Sequence, residues 1–100
     1  MHQVILKVNR WLSQGSEGAS TDFVEIPVTT SEGESITDVV RRLAVENRDM
    51  SKAVFDERTR GIQANVLVML NGRIVNPHQR PEIALNEGDE VTFLPMHEGG

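Results

Sequence analysis

Leu85-Asn86-Glu87-Gly88-Asp89-Glu90-Val91-Thr92-Phe93-Leu94-Pro95-Met96-His97-Glu98-Gly99-Gly100 is the stretch whose reading decides the fold. Glu87-Gly88-Asp89 is a turn signal, because Gly reaches backbone angles closed to other residues and Asp bonds its own backbone. Glu90 to Leu94 reads as a strand, with Val91 and Phe93 on one face at a period of two. Pro95 stops the pattern, and its missing N–H suits the end of a final strand. Met96 to Gly100 shows neither strand alternation nor a helical stripe. The reading is a single domain over residues 1–95 with a reactive tail over 96–100.

Working upstream, Val66-Leu67-Val68-Met69-Leu70 is the strongest strand and is apolar on both faces, as a central strand is. Asn71-Gly72 follows as a two-residue hairpin signal, since both residues tolerate positive φ. Arg73-Ile74-Val75 makes a short strand that Pro77 halts, and Asn76 to Arg80 is loop. Ile83 and Leu85 anchor the approach to the last turn. Further back lies the clearest helix. Ser35 is its N-cap, with Asp38 three residues on as an acidic capping-box partner. Ile36, Val39, Val40, Leu43 and Ala44 build one apolar stripe, and the helix is expected to end near Asn47 to Asp49. Met50 to Phe55 reads as a further turn that drops Val54 and Phe55 into the core, and Asp56 to Gly61 as a charged loop. At the start, Val4, Leu6 and Val8 alternate within a strand expected from Val4 to Leu12, with Ile5 and Trp11 on its other face. Residues 13–20, rich in Gly and Ser, form a connector. Phe23 to Val28 is the second strand and completes a hairpin, with Val24, Ile26 and Val28 on one face.

The order β, β, α, β, short β, β asks for a helix covering one face of a mixed sheet. A right-handed crossover through the helix would set the next strand parallel to its sheet partner. The fold class is α+β, a mixed sheet of four to five strands packed on one main helix, in the order of a ubiquitin-like β-grasp.

Composition narrows function. The chain has 100 residues, 38% of them apolar, which fits one folded domain. It has no cysteine, which removes disulfides, a thiol nucleophile and thiolate metal sites. With 15 acids, 10 bases and a net charge of −5, it lacks the clustered cations that phosphate contacts require, so nucleic acid is not an expected partner. The acidic balance serves solubility and can steer the chain toward a basic protein surface. No apolar run approaches the roughly 20 residues of a membrane helix. His2 and Gln3 lead straight into strand pattern, so no signal peptide and a cytoplasmic location are expected.

These residues resemble the MoaD/ThiS-type sulfur carriers, prokaryotic relatives of ubiquitin, over nearly the whole chain. The resemblance rests on the opening hairpin, on Ser35-Ile36-Thr37-Asp38-Val39-Val40, on Val66 through Arg73, and most specifically on the ending, where a Gly-Asp-Glu-Val turn, a last strand, a proline and Gly99-Gly100 occur together. The resemblance implies a fate for that ending. An E1-like adenylating enzyme joins the Gly100 carboxylate to AMP from ATP, and sulfur from a donor replaces the AMP to leave a thiocarboxylate. A sulfur-accepting biosynthetic enzyme then builds molybdopterin, thiazole or cysteine with it, the MoaD-like molybdopterin route being favoured. Some relatives are joined instead to lysines of target proteins. On this reading the chain is a protein carrier and not an enzyme, and it binds no cofactor of its own. Gly100 is the covalent carrier residue and Gly99 the access residue, since a residue without Cβ passes a narrow channel. Phe93, Leu94, Pro95 and Met96 are the docking candidates beside the tail. Family tails are often small and apolar before the glycines, whereas His97 and Glu98 stand there in this chain.

Other readings are weaker on their residues. His97 is near enough to the tail's end to assist proton transfer, yet a solvated side chain is the simpler account. His2, His78 and His97 have no metal-ligand spacing. Asp56-Glu57 and Asp89-Glu90 sit in predicted turns and read as loop charges. Lys7 and Lys52 are the only lysines, which disfavours chains built on the protein itself. The alternatives to a sulfur carrier are a ubiquitin-like modifier conjugated to lysines through Gly100, and a noncovalent β-grasp interaction module.

Overall fold

The alternating apolar residues of the chain's first strand face inward as expected: Val4, Leu6 and Val8 are all buried. The structure, a computed structural model, describes residues 1–10, 12, 23–48, 50–80 and 83–96. Strand β1, His2–Asn9, pairs antiparallel with β2, Phe23–Thr30. The first strand is shorter than the sequence reading, since Arg10 is already helical, and the second runs two residues longer. Trp11, the 13–20 connector and Thr21 lie outside the described residues.

Helix α1, Ile36–Leu43, starts where its cap dictates. The Ser35 hydroxyl accepts from Asp38 N–H at 3.1 Å, and the Asp38 carboxylate accepts from Ser35 N–H at 3.1 Å. This reciprocal box satisfies two donors that a helix start leaves orphaned. Ile36, Val39, Val40 and Leu43 are its buried face. The helix stops earlier than the Asn47-to-Asp49 reading, giving way to turns over 44–46. Asn47 then begins the next segment, its side-chain oxygen accepting from Met50 N–H at 3.1 Å.

Met50–Val54 forms a π-helical turn that buries Met50, Ala53 and Val54. Gln63 closes it, its amide donating to the Phe55 carbonyl at 3.1 Å and its backbone N–H to Val54 O at 2.8 Å. The stretch read as a charged loop is a small hairpin: β3, Phe55–Asp56, pairs with β4, Gly61–Ile62. Its pairing is anchored by buried Phe55 and Ile62, two apolar residues at the rim of an otherwise charged segment.

Strand β5, Val66–Leu70, turns through Asn71 and Gly72 into β6, Arg73–Val75. Asn71 and Gly72 have φ of 52° and 83°, the double left-handed turn their sequence called for. The chain returns as β7, Glu90–Pro95. The five-stranded sheet has the order β2-β1-β7-β5-β6, with β1 and β7 parallel and the other pairs antiparallel. Two expectations are corrected here. β7, and not β5, is the central strand, and β5 is antiparallel to its partners. The helical excursion carries the chain past β1 and leaves a slot that the last strand fills. The arrangement is a ubiquitin-like β-grasp: one sheet face is covered by α1, and the buried residues of sheet, helix and π-turn make a single core.

The loop between β2 and α1 is closed by a charged clamp. Arg42 donates to Glu34 through Nε at 2.8 Å and through Nη2 at 3.1 Å, and Nη2 also reaches the Thr29 carbonyl at 3.0 Å. Hydrogen bonding from Arg42 holds the Glu34 carboxyl below the usual carboxylate value, against the opposing effect of burial.

Candidate functional site

The tail leaves from the middle of the sheet, so the site begins with what fixes β7. At its start, the turn residues are bound to neighbours on both sides. Gly88 N–H donates to Gln3 O at 2.8 Å, and Ile5 N–H donates to Asp89 O at 3.0 Å. On the other side, Asn71 donates to the Asp89 carboxylate at 2.9 Å, while its side-chain oxygen accepts from Glu90 N–H at 2.9 Å. The second Asp89 oxygen accepts from Asn86 N–H at 2.7 Å. Asp89 is therefore a turn-organising residue, more than the loop charge its position implied. Asn71 likewise combines its hairpin role with a side-chain link to β7.

Along the strand, Val91 and Phe93 point into the core. Phe93 is 0% exposed and is paired with Val8 of β1 and Val68 of β5, both buried. The reading of Phe93 as a docking residue is corrected: at a period of two it shares the inward face of Val91, and the helix covers that face. Leu94 and Pro95 are half-buried and Met96 is 45% exposed, so these three are the members of the docking set that reach the surface. Pro95 is the last strand residue, opposite Val66, and Met96 N–H still donates to Asn65 O at 2.9 Å. His97, Glu98, Gly99 and Gly100 lie outside the described residues.

The open face of the sheet supplies what the sequence reading missed. Leu94 lies opposite Leu67, Thr92 opposite Met69, and Met69 opposite Ile74. Opposed residues share a face, so Leu67, Met69, Leu94 and Ile74 form an apolar strip on the side away from α1. Ile74 is 67% exposed. A groove of about 250 Å³ adjoins the strip at the tail end, lined in part by Leu67, Ile74, Pro77, His78 and Met96. The signal for this strip lies in the sequence: Val66 to Leu70 is apolar on both faces, a pattern that a strand buried on both sides shares. Farther along the same face, Lys7 pairs with Glu90 at 3.4 Å.

No group of three or more metal-ligating side chains occurs among the described residues. No helix there is long and apolar enough to cross a membrane. Asp56 accepts from Arg58 N–H at 2.9 Å, an ordinary turn contact. What the arrangement offers is a central strand whose last described residues, Pro95 and Met96, end beside an apolar face.

Comparison with known proteins gives this arrangement a context. The model of the ThiS family matches residues 15–100. No curated protein sequence matches the chain. Among solved structures, SAMP1 from Haloferax volcanii matches with a TM-score of 0.68 at 19% identity, covering 98% of this chain and 99% of that one. The small archaeal modifier protein 1 of Methanosarcina acetivorans matches with a TM-score of 0.66 at 21% identity, covering 100% and 98%. The HVO 2177 protein of Haloferax volcanii matches with a TM-score of 0.62 at 22% identity, covering 99% and 87%.

Proposed function

The chain belongs to the ThiS family of ubiquitin-like proteins, and from that premise we propose that it is a sulfur carrier loaded at Gly100. It is worked on in the active sites of partner enzymes and is not itself the catalyst. A carboxylate is a poor acyl donor. An E1-like enzyme using ATP would attach AMP to the Gly100 carboxylate with loss of pyrophosphate. Sulfide-level sulfur supplied at the partner would then attack the acyl carbon, the new C–S bond forming as the C–O bond to AMP breaks, which leaves the thiocarboxylate and free AMP. A sulfur-accepting biosynthetic enzyme, molybdopterin synthesis being the favoured route, would draw on it. The observation that carries the reading is the family match running through residue 100, onto two glycines just beyond the sheet's central strand. Gly99 lets the tail enter a narrow channel, and Pro95 stiffens its departure from the sheet.

The test is accurate-mass spectrometry of the untagged chain from its native host. A sulfur-for-oxygen mass gain, placed at Gly100 by fragmentation so that methionine oxidation is excluded, supports the carrier. A second reading draws on a specific observation: the matched structures include proteins named as small archaeal modifiers. On that reading the same activated carboxyl ends in an amide with a target lysine. Conjugates of higher mass with an unmodified free carboxylate would favour it. Neither product, after incubation with ATP, a sulfur donor and the host's E1-like enzyme, would sink both.

The apolar strip gives the partner somewhere to dock. Buried aromatic and aliphatic anchors carry most of the energy in such interfaces, with losses of about 2 kcal/mol or more per anchor. Ile74→Asp should therefore lower kcat/KM for loading by at least about tenfold, each decade being about 1.4 kcal/mol. Its melting point should move little, because an exposed side chain is altered. Unchanged loading kinetics in this variant would remove the strip from the interface.

A further inference from the structure

The free side of β2 is explained neither by the tail nor by the apolar strip. Among the described residues, β2 is hydrogen-bonded to β1 alone, which leaves an eight-residue strand at the sheet's edge. Such an edge is a template on which another strand can add. Which of its groups face outward follows from β1. Ile5 N–H donates to Asp89 O and Gln3 O accepts from Gly88 N–H, so the odd-numbered residues of β1 turn their polar groups toward β7. The even-numbered ones turn theirs toward β2, where His2, Val4, Leu6 and Val8 stand opposite Thr30, Val28, Ile26 and Val24. The outward-facing residues of β2 are then Phe23, Glu25, Pro27 and Thr29.

Two consecutive members of that outward row are disabled. Pro27 has no N–H to offer, the placement proline takes in edge strands. The carbonyl of Thr29 already accepts from Arg42 Nη2 at 3.0 Å. Arg42 is itself fixed by the two bonds to Glu34, whose carboxylate also accepts from Ser31 N–H at 3.0 Å. An antiparallel newcomer exchanges N–H and C=O with each outward residue it meets, so its ladder would fail at adjacent rungs. The most direct newcomer is the same strand of a second copy, since a two-fold axis sets identical edges antiparallel. The row otherwise suits pairing: Phe23-Val24-Glu25-Ile26 is largely aromatic and β-branched.

We propose that Pro27 and the Glu34–Arg42 clamp form a guard that keeps a second copy of this chain from adding to the sheet at β2. The guard keeps the protein single and leaves both its tail and its open face available. It stands on the backbone geometry of the edge and does not depend on what the tail carries.

Sedimentation equilibrium over a wide concentration range tests it on the full chain, on Pro27→Thr, on Arg42→Met and on the double variant. The expected result is a monomer for the unaltered chain and a doubled apparent mass for the double variant at high concentration. Amide exchange at Glu25, position 27 and Thr29 should slow as the mass doubles. A folded double variant that stays monomeric overturns the proposal. So does a dimer whose new protection lies away from β2, or an unaltered chain that already dimerises through β2. Should the double variant fail to fold, Pro27→Thr with Glu34→Gln loosens the clamp while keeping the bulk of its side chains, and the same outcomes decide.

Discussion

Removing Gly99 and Gly100 is expected to abolish ATP-dependent loading of the chain while leaving its melting midpoint unchanged. The two halves of that result have separate causes. Folding free energy here resides in the buried cluster of sheet, helix and π-turn, and the last described residue tied into it is Met96, through its bond to Asn65. The glycines lie beyond that tie. On the proposed reading, loading needs the terminal carboxylate to reach the α-phosphate of ATP in another protein's site. A chain ending at Glu98 presents its carboxylate two residues short, on a residue with a Cβ and an anionic side chain. The loss should be complete, because proximity in such reactions is worth about 7–11 kcal/mol of barrier. A serine added after Gly100 should have the same effect with both glycines present, since the carboxyl would no longer belong to glycine. The measurement is incorporation of radiolabelled AMP or sulfur beside a thermal melt. A truncated chain still loaded at the normal rate would refute Gly100 as the loaded residue for the carrier and modifier readings alike, whereas a full chain that takes up no label would leave the noncovalent interaction module as the account.

How much of this was legible in the sequence depends on whether local chemistry or long-range pairing decided the outcome. Ser35 with Asp38, and Asn71 with Gly72, act within a few residues, and both form as their sequence demands. The inward face of β1 was legible for the same reason, since alternation is a local property. Strand order was not. Val66 to Leu70 is more apolar than Glu90 to Leu94, yet the latter occupies the centre. Centrality is set by which slot remains when the chain returns, which no single segment encodes. The β3–β4 hairpin escaped notice because four charged residues among Asp56 to Arg60 mask the pairing of Phe55 with Ile62. Leu94, Pro95 and Met96, proposed for docking by their nearness to the tail, do reach the surface. Phe93 was misassigned by the same reasoning, although its alternation with Val91 already marked it as core. Leu67, Met69 and Ile74 join the site only through cross-strand register. The edge guard was still less accessible, because Thr29 and Arg42 meet across 13 positions of sequence.

Phe93→Ala should produce the largest loss of stability of any single substitution in the last strand. Truncating a buried Phe costs about 3–5 kcal/mol, the removed transfer free energy plus the cavity left behind. The upper part of that range applies where the site cannot collapse. Here Phe93 is fenced by Val8 and Val68 on neighbouring strands, so the cavity walls are held by backbone ladders on both sides. A domain of this size has about 5–15 kcal/mol in total. Each 1 kcal/mol moves its melting midpoint by about 4–8 °C, so a fall well beyond about 10 °C is expected by calorimetry. Leu94→Ala, on the half-buried outer face one residue along, should cost markedly less; equal costs would mean that the inward and outward assignments of β7 are wrong. The two substitutions also separate stability from chemistry. Phe93→Ala retains Gly100, so its loading should recover when the assay is cooled into the range where the variant is folded. The chain lacking Gly99 and Gly100 is folded throughout and should recover at no temperature. On the proposed reading the two substitutions therefore divide the labour: the core holds the last strand, and Gly100 supplies the reacting group.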